Sequence, residues 1–223
     1  MTPLLPGPGE LALFAAAVAV LNATPGVDLL LTVARTLHGG VRAGLATALG
    51  IAAGCVVHAL AAAFGLAALL ALHPAAFMAI QWAGAAWLGW LGLSLLWQTW
   101  RRTPGAEPAV TGAPGAAAAT TLWAEFRTGL WTNLLNPKVA LFFLAFLPQF
   151  VPAGAPSKTA AFLLLGAWFV LQGTLFLGLL VVLAARLRRL RPTETARRAL
   201  GTLGGVLFVA LALRLLGARQ APV

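Results

Sequence analysis

Asn136-Pro137-Lys138 interrupts an apolar stretch that runs from about Gly129 to Val151. Proline lacks the backbone N–H that a helix interior needs, and a charged side chain is costly inside a membrane. An earlier apolar stretch also pairs a helix breaker with a charge, in Asn22-Ala23-Thr24-Pro25-Gly26-Val27-Asp28. Two interrupted membrane helices, each with a buried charge, are typical of a transporter's substrate site.

The composition is that of a membrane protein. Of the 223 residues, 61% are hydrophobic and 9% are charged, more apolar surface than a soluble core of this length can use. The net charge of +10 lies mainly between the apolar stretches, where basic residues act as topology signals and contact lipid headgroups, so no nucleic-acid partner is expected. Cys55 is the only cysteine, which excludes an internal disulfide and a multi-cysteine zinc site. No metal or other cofactor is expected.

The apolar pattern predicts an all-α integral membrane protein with six transmembrane helices. They run roughly over residues 11–33, 43–72, 75–97, 129–151, 159–184 and 200–216, and the first and fourth are broken at Pro25-Gly26 and Asn136-Pro137. We expect a single transporter domain over residues 1–223. Its two three-helix repeats would cover residues 10–100 and 125–223, joined at 101–124 by a flexible cytoplasmic linker rich in Ala, Pro, Gly and Thr.

The arginines predict the orientation. They concentrate in the loops after the first, third and fifth predicted helices, at positions 35, 42, 101, 102, 127, 186, 188, 189, 191, 197 and 198. The positive-inside rule therefore places these loops in the cytoplasm and both termini outside it, in a multi-pass protein of the cytoplasmic (inner) membrane.

The two groups of three helices have opposite orientations, because three is an odd number. Superposing Pro25 on Pro137 places Thr24 against Asn136, so a polar residue directly precedes each break. This is the arrangement expected of inverted-repeat transporters, whose substrate lies between two broken helices. Gly50-x-x-x-Gly54 predicts close helix packing, within one protomer or between protomers of a homo-oligomer.

In these stretches the chain resembles the LysE/RhtB family of amino-acid exporters. The matching segments are Thr24-Pro25-Gly26-Val27-Asp28, Gly39-Gly40-Val41-Arg42-Ala43-Gly44, and residues 129–138 continuing through 142–150. The first segment departs from the family's usual Pro-Gly-Pro-Asp, because Val27 replaces the second proline. The resemblance implies export of amino acids across the cytoplasmic membrane, driven by the proton gradient.

An amino acid is a zwitterion, so a site in lipid must meet both of its charges. We expect Asp28 to face the substrate ammonium and Lys138 to face the carboxylate. Asn22, Asn133 and Asn136 would supply amide hydrogen bonds. The alternative is that Asp28 and Lys138 form a permanent ion pair that holds the two broken helices together.

Asp28 is also the first candidate for proton coupling, since Glu10 and Glu125 lie at helix ends. His58, midway along the second predicted helix, is the second candidate. No other acid is expected deep inside a span, which favours a neutral substrate such as threonine, homoserine or a branched aliphatic amino acid over a cationic one.

Three other classes of protein share parts of this sequence pattern. An intramembrane enzyme would need a nucleophile–base pair, two aspartates or a metal cluster, and the sequence has only one aspartate and no such motif, so the chain is not expected to be an enzyme. A passive channel is one alternative function, because an asparagine-lined break can also line a pore. A metal-ion exporter is another alternative function, although the spans offer only Asp28, Cys55 and His58 as clear metal ligands.

Overall fold

The computed structural model describes residues 4–24, 26–66, 121–152 and 154–186, together with isolated helical positions between 68 and 100 and between 202 and 213. The continuous described segments contain five α-helices: α1 (Pro8–Ala23), α2 (Val27–Ala61), α3 (Leu122–Leu134), α4 (Pro137–Leu141) and α5 (Lys158–Arg186). A π-helical turn, Ala62–Leu66, extends α2. A second π turn, Phe142–Phe146, and a 3-10 turn, Leu147–Phe150, extend α4.

Both expected helix interruptions are present. Helix α1 ends at Ala23 and α2 begins at Val27, while Pro25 itself lies outside the described residues. Helix α3 ends at Leu134, and the chain bends by 50° before continuing from Pro137 to Phe150. Proline suits the first turn of a helix, where its missing N–H has no partner to lose.

The connection between the first two predicted helices differs from the expected loop over residues 34–42. The chain stays helical from Val27 to Ala61 except at Gly40, where φ is 76° and ψ is −176°. The chain turns sharply at this residue. The turn brings Gly44 so close to Thr36 that a β-carbon at Gly44 would overlap the Thr36 hydroxyl. A continuous helix would separate two residues eight positions apart by about 12 Å. Glycine alone adopts such a positive φ readily, which explains a one-residue reversal.

The carboxyl half of α2 packs closely against α3 through glycines on both helices. A β-carbon at Gly50 would collide with the carbonyl of Phe126, and one at Gly129 would collide with the carbonyl of Thr47. At Gly54, a β-carbon would lie 2.6 Å from Asn133 Oδ1. The Gly50-x-x-x-Gly54 spacing is therefore confirmed as a packing face, and it brings Asn133 against α2.

The core joining α1, α4 and α5 is largely aromatic, and its fully buried rings are Phe14, Phe142, Phe143, Phe146, Phe162 and Phe169. The opposite side of α5 presents apolar side chains outward: Leu171 is 62% exposed and Leu175 is 66% exposed. Such a surface is unfavourable in water and suits lipid. Among the described residues, two helical segments are long and apolar enough to cross a membrane: residues 27–66, which turn at Gly40, and residues 158–186. There are three if the bent pair from Leu122 to Phe150 counts as one span.

The predicted fourth and fifth helices differ from the described ones mainly at their ends. Helix α3 begins at Leu122, seven residues before the expected start at Gly129, because Thr121 caps it by accepting a 3.2 Å hydrogen bond from the Ala124 backbone N–H. Helix α5 matches its expected range within two residues at each end. The expected linker up to residue 120, and the third and sixth predicted helices apart from isolated positions, lie outside the described residues.

Candidate functional site

A cavity of about 40 Å³ lies where the two helix breaks meet α5. Four of the five residues expected to contact substrate line it: Asn22, Asp28, Asn136 and Lys138. The volume admits about three water molecules.

Asp28 is held by two amides from the second break. It stands in the first turn of α2, where the helix dipole favours a carboxylate. Its Oδ2 accepts hydrogen bonds from Asn133 Nδ2 at 2.8 Å and Asn136 Nδ2 at 3.0 Å. The Asn136 side chain also caps α4, since its Oδ1 accepts a 3.0 Å hydrogen bond from the Lys138 backbone N–H. One asparagine thus fixes both the second break and the acid that follows the first.

Lys138 is held by the first break. Its ammonium donates to the carbonyl of Leu21 at 2.7 Å and to the carbonyl of Thr24 at 3.1 Å. These carbonyls lie at the end of α1, where the interrupted helix leaves them without helical partners. A cation at a helix C-terminus also meets the negative end of the helix dipole. Lys138 therefore stabilises the end of α1 by supplying two donors and a charge.

The alternative arrangement, a permanent ion pair between Asp28 and Lys138, is not seen as a direct contact. Both residues are described, and no salt bridge of 4.0 Å or less joins them. Each charge is instead satisfied by polar groups of the opposite break.

Two buried polar atoms at this site have no hydrogen-bond partner among the described residues. They are Asp28 Oδ1, an acceptor, and Asn22 Nδ2, a donor. A buried polar atom without a partner costs about 1–3 kcal/mol, so such atoms call for an explanation. Both belong to residues that line the cavity. The cavity thus offers one free acceptor on a carboxylate and one free donor on an amide.

Asn133 connects this site to the carboxyl half of α2. Its Oδ1 accepts a hydrogen bond from Cys55 Sγ at 3.5 Å, and its backbone oxygen lies 3.3 Å from His58 Nε2. The His58 ring also stacks on Phe143, with 5.9 Å between ring centroids. The two residues expected to couple protons, Asp28 and His58, are therefore linked through Asn133, although His58 does not line the cavity.

A second polar cluster lies away from the cavity. Arg35 Nη1 contacts Glu125 Oε1 at 3.2 Å, and Thr47 Oγ1 donates to Glu125 Oε2 at 3.4 Å. Glu125 is only 2% exposed although it stands in the first turn of α3. A glutamate at a helix end is expected to face solvent, so the ion pair was not predicted from the sequence. The sequence feature that could have indicated the ion pair was Arg35, which lies in the loop expected over residues 34–42.

The structure adds residues of α5 to the site. Phe169, Val170, Gly173, Thr174 and Leu177 line the cavity opposite the two breaks. Gly173 and Thr174, a glycine and a polar residue inside an apolar helix, were the sequence signals for this face. Within the described parts of the chain, no group of three or more His, Cys, Asp or Glu side chains is placed to hold a metal ion.

The chain matches known proteins over most of its length. The family model for LysE type translocators matches residues 19–219. An uncharacterized membrane protein of Pseudomonas aeruginosa is 33% identical over 192 residues, covering 86% of this chain and 87% of the relative. A leucine efflux protein of an Enterobacter species is 31% identical with the same coverage. A homoserine/homoserine lactone efflux protein of Salmonella typhimurium is 29% identical over 91% of this chain and 93% of the relative. No solved structure gives a significant match.

Proposed function

Because the chain belongs to the LysE type translocator family, we propose that it exports amino acids or close derivatives from the cytoplasm across the cell's inner membrane. Members of this family are translocators, so the chain is a multi-pass membrane transporter and not an enzyme. The relatives named for leucine efflux and for homoserine and homoserine lactone efflux support an amino-acid substrate.

The observation that carries this proposal is the pair of unpartnered atoms at the cavity. A substrate ammonium would donate to Asp28 Oδ1, and a substrate carboxylate would accept from Asn22 Nδ2. Lys138 has three ammonium protons and gives two hydrogen bonds to carbonyls, so its third can face the same carboxylate. Asn133 and Asn136 hold the Asp28 carboxylate in place. A zwitterion would thereby satisfy groups that the empty site leaves unsatisfied.

A neutral side chain suits the rest of the cavity. Leu29, Ile51, Val139, Phe169, Val170 and Leu177 supply its apolar lining. Asp28 is the only acid among the lining residues, and the substrate ammonium would use it. A leucine-like or threonine-like side chain fits this environment better than a second positive charge, whose burial without a partner is costly.

We attribute the driving force to proton antiport. Protonation of Asp28 from the outside would remove the charge that holds the substrate ammonium and so release the substrate outward. His58, linked to Asp28 through Asn133, would be the second proton site.

The proposed architecture is six transmembrane helices in two inverted repeats, with both termini outside the cytoplasm. The exchange of contacts between the two breaks supports this arrangement, since polar groups of each break satisfy the charge of the other. Broken helices facing each other across a substrate site are typical of inverted-repeat transporters.

Growth of cells expressing the protein on a panel of toxic amino acids and dipeptides tests the proposal. We expect resistance to at least one neutral amino acid. That resistance should be lost in a Lys138→Ala variant that still reaches the membrane. Equal sensitivity to every compound, despite confirmed insertion of the wild-type protein, would contradict amino-acid export and favour a passive pore or a metal-ion exporter.

A further inference from the structure

Gly173 is a glycine in the middle of α5 that lines the cavity. Glycine inside a helix costs about 1 kcal/mol relative to alanine, so its presence calls for a physical reason. Close packing explains several other helical glycines. A β-carbon at Gly50 or Gly129 would collide with backbone of the facing helix, and one at Gly166 would lie 2.8 Å from Ala59 Cβ.

Among the described residues, neither close packing nor backbone conformation explains Gly173. Its β-carbon would lie 3.6 Å from Asn22 Oδ1 and 3.7 Å from Asn22 Nδ2, which are ordinary van der Waals distances. No other described atom lies within 4 Å of that position. Gly40 is the only described residue with a positive φ, so the backbone at Gly173 accepts any residue that suits a helix. An alanine therefore fits at position 173 without strain.

The methyl group that glycine lacks would stand directly against the Asn22 amide. That amide carries the buried Nδ2 donor that has no partner among the described residues. A methyl there would contact both amide heteroatoms and would occupy space next to the donor, beside the cavity that both residues line. The missing side chain thus leaves the space beside this buried donor unfilled, at a place where helix stability favours alanine.

We propose that Gly173 is a positioning residue that keeps the Asn22 amide open to the substrate carboxylate. This inference rests on the proposed export of amino acids and adds a residue that acts through Asn22. Gly173 itself contributes space and no hydrogen bond. It therefore affects ligands that carry a carboxylate and leaves unaffected those that bind only through their ammonium group.

The test compares leucine with 3-methylbutylamine, which is leucine without its carboxylate. Their dissociation constants for the purified full-length protein in detergent would be measured by calorimetry. A hydrogen bond to a charged group contributes about 1.5–3 kcal/mol, so we expect Gly173→Ala to weaken leucine binding by roughly ten-fold to a hundred-fold. The same substitution should leave 3-methylbutylamine unchanged. Gly178→Ala is the matched control, because Gly178 lies in the same helix, lines no part of this cavity and has no described atom within 4 Å of its β-carbon position.

A second comparison decides whether Gly173 acts through Asn22. In an Asn22→Leu background the amide is absent, so Gly173→Ala should cause no further loss of leucine binding. A further loss there, an equal loss for both ligands, or unchanged leucine binding in Gly173→Ala would overturn the inference. Failure of Gly173→Ala to fold would also overturn it, because the inference requires that the methyl fits. If the wild-type protein binds none of leucine, threonine and homoserine, the proposed function fails, whereas a failure confined to the variants leaves that function standing.

Discussion

The side-chain amide of Asn133, just before the second helix break, donates a 2.8 Å hydrogen bond to Asp28 Oδ2, just after the first. The reverse connection also exists, since the ammonium of Lys138, after the second break, bonds the carbonyl of Leu21, before the first. Each interrupted helix therefore holds the charge of the other. Because both charges have polar partners, neither requires a direct ion pair, and one carboxylate oxygen of Asp28 has no hydrogen-bond partner among the described residues.

Replacing Asp28 by asparagine should abolish proton-driven export while the protein still folds and inserts. Asparagine has nearly the same shape and can still accept a hydrogen bond from Asn133, but it has no carboxylate that can bind and release a proton near neutral pH. Accumulation driven by an imposed proton gradient in proteoliposomes measures the effect. Glu10→Gln, which removes an exposed carboxylate at the start of α1, is the control and should behave like the wild type. Unchanged accumulation with Asp28→Asn would remove Asp28 from the coupling mechanism.

Replacing Lys138 by methionine should lower thermal stability as well as transport. Methionine fills similar apolar space but leaves the carbonyls of Leu21 and Thr24 without their donor, at about 1–3 kcal/mol for each buried group. Thermal unfolding in detergent measures this loss. Lys158→Met is the control, since Lys158 lies at the start of α5 and donates to the carbonyl of Pro152. A melting temperature that falls no further for Lys138→Met than for the control would show that the ammonium does not stabilise the first break.

The buried pair of Arg35 and Glu125 should show strong coupling in a double-mutant cycle. Removing one partner leaves the other charge poorly compensated, which costs about 3–5 kcal/mol in a fully buried pair and less here, because the Arg35 side chain is 21% exposed. Glu125→Gln and Arg35→Gln should each lower the melting temperature. The double variant should be destabilised by less than the sum of the two single changes. Additive effects would mean that the two side chains stabilise the protein independently.

Replacing Gly50 by alanine should disrupt the packing of α2 against α3. The added methyl would collide with the backbone carbonyl of Phe126, which cannot move without shifting the helix. Gly178→Ala again serves as the control, and it should be neutral or slightly stabilising, by up to about 1 kcal/mol. The yield of monodisperse protein after detergent extraction compares the two. Equal yields would contradict the close approach of these helices.

The sequence predicted the features that depend on local chemistry. Pro137 removes a backbone donor and forces a break wherever it falls inside an apolar helix, so the second interruption could be located to the residue. The spacing of Gly50 and Gly54 identified a packing face because only small residues allow helices to approach so closely. The charges on Asp28 and Lys138 indicated the candidate site, because a charge inside a membrane span is costly and usually has a functional role.

The features that could not be predicted depend on tertiary contacts. The pairing of Arg35 with Glu125 joins positions 90 residues apart, and each residue alone is ordinary at a helix end. Lys138 contacts carbonyls at the end of α1 and not the Asp28 carboxylate. This follows from how the two helix breaks are placed relative to each other. The single-residue turn at Gly40 was hidden because Gly39 and Gly40 are equally suited to it by sequence. The role of α5 in lining the cavity required coordinates, because Gly173 and Thr174 do not by themselves show which other helices they face.

Exchange of neutral amino acids for protons by the wild-type protein is tested by the efflux of labelled leucine, threonine and homoserine from preloaded proteoliposomes. Efflux would be measured with and without an imposed proton gradient that is acidic outside. We expect the gradient to accelerate efflux of at least one of the three, relative to protein-free liposomes. Efflux at the same rate with and without the gradient, or no protein-dependent efflux of any of them, would rule out the proposed proton-coupled export.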